Sequence, residues 1–202
     1  MKRFLIACLA VFMAVGFSGA ALAAPSIFFD FDSDELADAS VFVPSVGDIF
    51  YADLYIGDVD DEHGGIMSMG FEGTFDNTQV NVLSLTVNAA NWYIADNFNT
   101  WHDNGAGRLS MAGGRLAGLT GTLLLGSLEF ECMGEGNSVL QTLEMWPAMD
   151  YNAVIALDEY VYDKDITYGG ADVTQVVPIP GAVWLLGSGL LSLVGLRRKI
   201  RS

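Results

Sequence analysis

Residues 67–75 read Met67-Ser68-Met69-Gly70-Phe71-Glu72-Gly73-Thr74-Phe75, with apolar side chains at 67, 69, 71 and 75 and polar ones at 68, 72 and 74. The period is two. Successive side chains of an extended chain point to opposite faces, so one face packs while the other meets water. A helix would need apolar residues three and four apart. The stretch therefore predicts a half-buried strand, and the same period recurs on both sides of it. Phe50, Ala52, Leu54 and Ile56 make one face of an earlier strand, and Tyr51, Asp53 and Tyr55 the other. Later, Leu128, Phe130 and Cys132 alternate with Ser127, Glu129 and Glu131. Further runs cover 27–31, 80–87, 139–143, 154–157 and 159–162. Turn formers separate the runs: Gly57-Asp58, His63-Gly64-Gly65, Asp76-Asn77, Asn104-Gly105, Gly113-Gly114 and Gly134-Glu135-Gly136. Residues 89–100 are read as a short helix or a loop. Many short strands with such turns predict an all-β fold, a jelly-roll or immunoglobulin-like β-sandwich.

Charge divides the chain into three. Its 202 residues carry 9 basic and 25 acidic side chains, a net charge of −16. Lys2 and Arg3 open the sequence, Arg197, Arg198, Lys199 and Arg201 close it, and only Arg108, Arg115 and Lys164 lie between. All 25 carboxylates fall between Asp30 and Asp172, so residues 24–176 carry three positive charges against 25 negative, a net −22. Such a surface repels phosphate backbones, which excludes nucleic acid as a partner. Disorder is excluded by 51% hydrophobic and 11% aromatic residues. About 150 residues suit one domain with a true core. Cys8 lies in the N-terminal segment, which leaves Cys132 alone in the middle. Glu129, Glu131 and Glu135 around it oppose a thiolate, so Cys132 is read as a small core hydrophobe.

Residues 1–23 are read as a signal peptide. Lys2 and Arg3 form its positive start, Phe4 to Phe17 its apolar helix, and Ala21-Leu22-Ala23 its small-residue cleavage site. At the other end no charge occurs from Val173 to Leu196. Gly181 to Leu196 would span about 24 Å as a transmembrane helix. Arg197, Arg198 and Lys199 follow it, and the positive-inside rule leaves the acidic domain outside. The box Val177-Pro178-Ile179-Pro180-Gly181-Ala182, the apolar helix and the basic cluster together resemble the PEP-CTERM class of bacterial sorting signals, in its VPLPA-type variant. Ile179 stands where the commoner box has glutamate, and Gly181 where the variant has alanine. The resemblance covers about the last 26 residues, 177–202. It implies processing by an exosortase-type membrane protease, transient residence in the inner membrane, and a Gram-negative host that makes exopolysaccharide.

The middle resembles a cohesin-like domain. Val46-Gly47-Asp48 leads into the strand from Phe50 to Ile56. Gly70-Phe71-Glu72-Gly73-Thr74-Phe75-Asp76-Asn77 turns into Thr78-Gln79-Val80-Asn81-Val82. A strand at 107–113, a glycine-rich turn at 118–121 and Leu124-Leu125-Gly126-Ser127-Leu128-Glu129-Phe130 complete the order over about 43–143. The resemblance implies a sandwich that binds a partner through one face.

Chemistry-bearing constellations are few. Asp30-Phe31-Asp32-Ser33-Asp34 begins like a calcium loop, but Glu35 stands at its sixth position and Val41 at its twelfth, where glycine and glutamate are needed. Asp58, Asp60, Asp61 and Glu62 crowd like charges that a hard cation would relieve, and they are the candidate metal site, for calcium. Trp92, Tyr93 and Trp101, with Phe98, lie among asparagines and aspartates as sugar-stacking aromatics would, and they are the candidate carbohydrate site. No nucleophile elbow, HExxH or phosphate loop occurs, so no catalytic residue and no cofactor beyond calcium is assigned. The expectation is a non-catalytic binding or structural protein of the cell surface or exopolysaccharide matrix, whose partner is a surface or matrix protein. The alternatives are a polysaccharide-binding module and a secreted hydrolase with paired acids.

Overall fold

The computed structural model describes residues 24–96, 99–146 and 153–175. The signal segment, the sorting segment from Val177 to Lys199 with its transmembrane helix, and Phe98 lie outside the described residues. Among those described, every regular element is a strand: β1 Ser26–Asp30, β2 Ser40–Val43, β3 Ile49–Val59, β4 Ile66–Thr74, β5 Val80–Val87, β6 Ile94–Ala95, β7 Trp101–Asp103, β8 Arg108–Leu119, β9 Gly121–Cys132, β10 Gly136–Glu144, β11 Ile155–Ala156, β12 Thr167–Tyr168 and β13 Gly170–Gln175.

The strands form two sheets of a sandwich. The first runs β12-β1-β3-β9-β5, the second β2-β13-β10-β4-β8-β6, with β11 paired to β4 and β7 to β8. Two pairings are parallel, β1 with β12 and β13 with β2. The alternation read from the sequence sets the inner faces. Phe50, Ala52, Leu54 and Ile56 of β3 are buried against Met69 and Phe71 of β4 and Leu128 and Phe130 of β9 in one core. Phe50 stacks on Phe130, ring centroids 5.1 Å apart. Cys132 is buried in that core, its Sγ donating to the Gly134 carbonyl at 3.5 Å, and burial pushes the thiol up from its ordinary pKa.

Three local expectations need correction. Gly57-Asp58 is not a turn between strands: both residues lie within β3, at an irregularity in its pairing with β9. Gly113-Gly114 is not a turn, because β8 runs unbroken from Arg108 to Leu119. Trp92 packs so closely on Gly113 that a Cβ there would lie 2.9 Å from its own Cβ. Residues 159–162 are not a strand but a turn, with Glu159 at φ 71° and an isolated bridge from Val161 to Ile155. Of the two readings of residues 89–100 the loop holds among the described residues, with a turn at 89–91 and the two-residue β6.

Two further features shape the molecule. Strand β5 ends the first sheet, and Asn104 in the turn between β7 and β8 meets its free side. The Asn104 amide donates to the Val82 carbonyl and accepts from the Val82 N–H, both at 2.9 Å. On the outside of the second sheet, Ala112, Met145 and Ala153 form a small cluster of their own, with Trp146 packed against it.

Candidate functional site

The sandwich offers two outer faces, and pairing register decides what each displays. On the first sheet Tyr51, Glu129 and Ser84 share one row, and Ile49, Glu131 and Asn81 the next. The carboxylates are engaged within the face. Tyr51 Oη donates to Glu129 at 3.3 Å, Ser84 Oγ to Glu129 at 3.1 Å, and Asn81 Nδ2 to Glu131 at 3.4 Å. This face is acidic and internally hydrogen-bonded.

The second sheet differs. Leu143 of β10, Glu72 of β4, Ser110 of β8 and Trp101 of β7 form one row across four strands, about 14 Å at the usual strand spacing. Arg108 pairs with Glu72 within it. Val139 lies beside Asp172 toward β13. Val139 is 52% exposed, Leu143 42% and Trp101 37%, and Ile94 is exposed on β6. Exposed apolar side chains gathered on one face mark an interaction surface more than the same residues scattered singly.

The three aromatics expected to stack on sugar do not act together. Trp92 is 1% exposed, and its Nε1 donates to the Leu124 carbonyl at 3.0 Å, so it belongs to the core. Tyr93 is exposed, but Arg115 lies over its ring at 5.7 Å and its hydroxyl accepts from the Leu116 N–H. Trp101 lies on β7 beside Ser110, four residues along β8 from Gly114, which pairs with Ile94 next to Tyr93.

The acidic candidates also rearrange. Among the described residues the carboxylates whose oxygens converge are Asp30, Asp32 and Asp38, all within 4.8 Å, and not Asp58, Asp60, Asp61 and Glu62. Asp30 is buried and accepts backbone N–H groups of Asp32, Ser33 and Glu35. Asp38 accepts the Phe31 N–H at 2.7 Å. The negative neighbours Asp34 first, then Asp38 and Asp30, together with partial burial, raise the Asp32 pKa. Asp60 caps the Glu62 N–H and accepts the Tyr162 hydroxyl at 3.4 Å. Sequence spacing suggested the first pair of the convergent group; Asp38 joins only because the 31–37 turn folds back.

A second cluster went unread in the sequence. His63 Nδ1 bonds Asp158 Oδ2 at 2.9 Å, and the imidazole stacks on Tyr160, centroids 3.8 Å apart and 1° from parallel. Tyr162 meets both rings edge-on, and Tyr160 donates its hydroxyl to Asp165. Burial first, then the Asp60 charge, pushes Tyr162 up to about 12. The contact latches the turn before β4 to the turn after β11. The Asp158 hydrogen bond raises His63 above its ordinary 6.5, partial burial opposing it, and lowers Asp158 below its ordinary 3.8. The His63 contribution is complete below its unfolded value and is lost as pH rises through the raised one. The Asp158 contribution is present above 3.8 and is lost as pH falls through the lowered one. Hydrogen exchange at residues 61–65 and 157–160 is therefore expected to be slowest, after correction for intrinsic rates, between about pH 4 and 6.5. Flat protection up to pH 9 would deny His63 this role.

No protein-family model matches the chain, and no curated protein matches it. Solved structures do. CaCohA2 from Clostridium acetobutylicum superposes with a TM-score of 0.54 at 16% identity, over 78% of this chain and 95% of that one. The third cohesin of ScaC from Acetivibrio cellulolyticus, solved in complex with the ScaB dockerin, gives 0.52 at 16% identity, over 76% and 99%. The cohesin module of a family 33 glycoside hydrolase from Clostridium perfringens gives 0.52 at 13% identity, over 76% and 99%. At such identities the likeness is one of fold: the chain carries a cohesin-like β-sandwich.

Proposed function

We propose that the chain is a non-catalytic binding module of the cell surface or extracellular matrix that takes a protein partner on the outer face of its second sheet. One observation carries this reading: Val139, Leu143, Trp101 and Ile94 are exposed on that face, while the opposite face, which exposes Ile49 and Tyr51, ties Tyr51 and its carboxylates into a hydrogen-bonded network of its own. Burial of Trp92 removes the main aromatic of a sugar platform and favours protein over polysaccharide. The cohesin of ScaC that shares this fold was solved with a protein partner, a dockerin, which supports the same choice. Export through residues 1–23, a working domain over 24–176 and exosortase-type processing at 177–202 complete the proposal, and they rest on sequence. For calcium the proposed ligands become Asp30, Asp32 and Asp38, whose oxygens lie within 4.8 Å of one another, in place of Asp58, Asp60, Asp61 and Glu62.

The test captures matrix proteins of the producing bacterium on the surface form, after mass spectrometry has located both chain ends. Leu143→Glu and Val139→Glu are each expected to reduce capture at least tenfold, and Tyr51→Glu on the opposite face to leave it unchanged. Capture that survives both changes, or is lost only with Tyr51→Glu, overturns the assignment of the face. A surface form that retains Arg197 to Ser202 overturns the processing.

A further inference from the structure

A cleft of about 300 Å³ opens on this same outer face. Its floor is the pair Ser68 and Gly114, next to the pair Gly70 and Ala112, and exposed Ile94 beside Gly114 forms its rim. Met145, Trp146, Ala153 and Ile155, from the chain after β10, make the facing wall. The wall lies close on the sheet because Gly70 has no side chain; a Cβ there would come 2.9 Å from Ala153 and 3.0 Å from the Met145 sulfur. The Ser68 hydroxyl is already committed, donating to the Ala153 carbonyl and accepting the Ile155 N–H. Among the described residues Asp96 is the one ionisable group of the lining, and it accepts from Asn99. No cation lines the cleft among the described residues.

We propose that the cleft receives an apolar side chain of the protein partner, presented between lysines or arginines. The proposal rests on the reading of this face given above and names the chemistry of its partner. The lining is mostly apolar, as anchor pockets at protein interfaces are. The volume lies at the low end for ligand sites, enough for one anchor residue. Charge supplies the flanks. The domain carries −22, Asp96 lies in the lining, and of the nearby cations Arg108 is held by Glu72 while Arg115 is held by the Tyr93 ring and the Asn91 carbonyl. A basic partner gains both attraction and encounter rate at such a surface. The cleft is continuous with exposed Ile94 and the row beyond it, which suits an extended partner over a free small molecule.

Gly114 makes the test clean. A Cβ there would meet nothing nearer than the Met67 carbonyl at 3.6 Å and Ile94 Cβ at 4.0 Å, and it would point into the cleft. Gly114→Leu therefore fills the cleft and spares the sandwich. The probes are capped tripeptides, acetyl-Lys-Leu-Lys-amide, acetyl-Glu-Leu-Glu-amide and acetyl-Lys-Ser-Lys-amide, with cellobiose beside them, titrated against the protein and read by amide NMR. Lys-Leu-Lys is expected to shift Gly114, Ala112 and Ile155 saturably. The other probes should bind at least tenfold more weakly, and Gly114→Leu should abolish the shifts. Ile94→Lys, at an exposed rim position, should weaken Lys-Leu-Lys at least tenfold even if the leucine variant misfolds. Equal binding of Lys-Ser-Lys, of Glu-Leu-Glu or of cellobiose at these amides overturns the proposal, as does binding that persists in either variant. If Leu143→Glu abolishes partner capture while Gly114→Leu leaves it intact, the face stands and the cleft proposal falls. If the tripeptide binds but Leu143→Glu leaves capture intact, the face assignment falls instead.

Discussion

Trp92→Ala is expected to lower stability by about 3–5 kcal/mol, the range for removing a fully buried large aromatic. Small domains have only about 5–15 kcal/mol in all, so the variant should be partly unfolded at 37 °C. The indole is closed in on every side and fits where Gly113 leaves room for it. Its N–H also joins Asn91 and Asn88 in donating to the Leu124 carbonyl, at 3.0, 3.0 and 3.4 Å, which pins the 88–92 turn to β9. Trp92→Phe should cost less, because it keeps most of the apolar volume and loses chiefly the hydrogen bond. Urea denaturation followed by circular dichroism measures both. A loss below about 1 kcal/mol in Trp92→Ala, accompanied by loss of sugar binding, would return this residue to the surface role that its neighbours in sequence suggested.

Gly65→Ala should be nearly as severe, at about 3 kcal/mol or more. Its φ of +79° is left-handed, which alone costs a side-chain-bearing residue about 1–2 kcal/mol. A Cβ there would also sit 2.5 Å from the Leu119 carbonyl oxygen and 2.8 Å from its nitrogen, both backbone atoms. Neither can swing away, because the Gly65 carbonyl accepts the Leu157 N–H at 3.0 Å and Leu119 pairs with Ile66. The relief is a shift of whole strands. Gly47→Ala is the control: its φ is +90°, but nothing lies within 4 Å of the added carbon, so only the conformational part of the cost remains. Equal losses in the two variants would show that the close approach to Leu119 contributes nothing.

The sandwich was legible because its central strands alternate for seven to nine residues. Met67 to Phe75 and Phe50 to Ile56 each place large apolar side chains on one face, and no other backbone buries that pattern. The turn at His63-Gly64-Gly65 was legible for a local reason, since positive φ at two successive residues calls for glycine. Strand β13 was not legible. Its inward residues are Ala171, Val173 and Gln175, too small or too polar to stand out, and its place is set by long-range pairing with β10 and β2. Gly113-Gly114 misled because glycines signal turns locally, whereas here they serve packing across the sheet. The arrangement of the candidate site residues was hard to read for a related reason. Acidic residues were ranked by crowding in sequence, but convergence depends on a turn that brings Asp38 to Asp30. The exposed apolar face combines residues from β4, β6, β7, β8 and β10, so only the register could assemble it.

Asn104 has a consequence for life in a crowd. A terminal strand of eight residues is a template on which another chain can lay its own backbone. By occupying the Val82 N–H and carbonyl, one side-chain amide interrupts that template at its bulge. At high local concentration, copies of the chain would otherwise zip together edge to edge. The asparagine keeps neighbours as neighbours and reserves association for faces that can choose their partner.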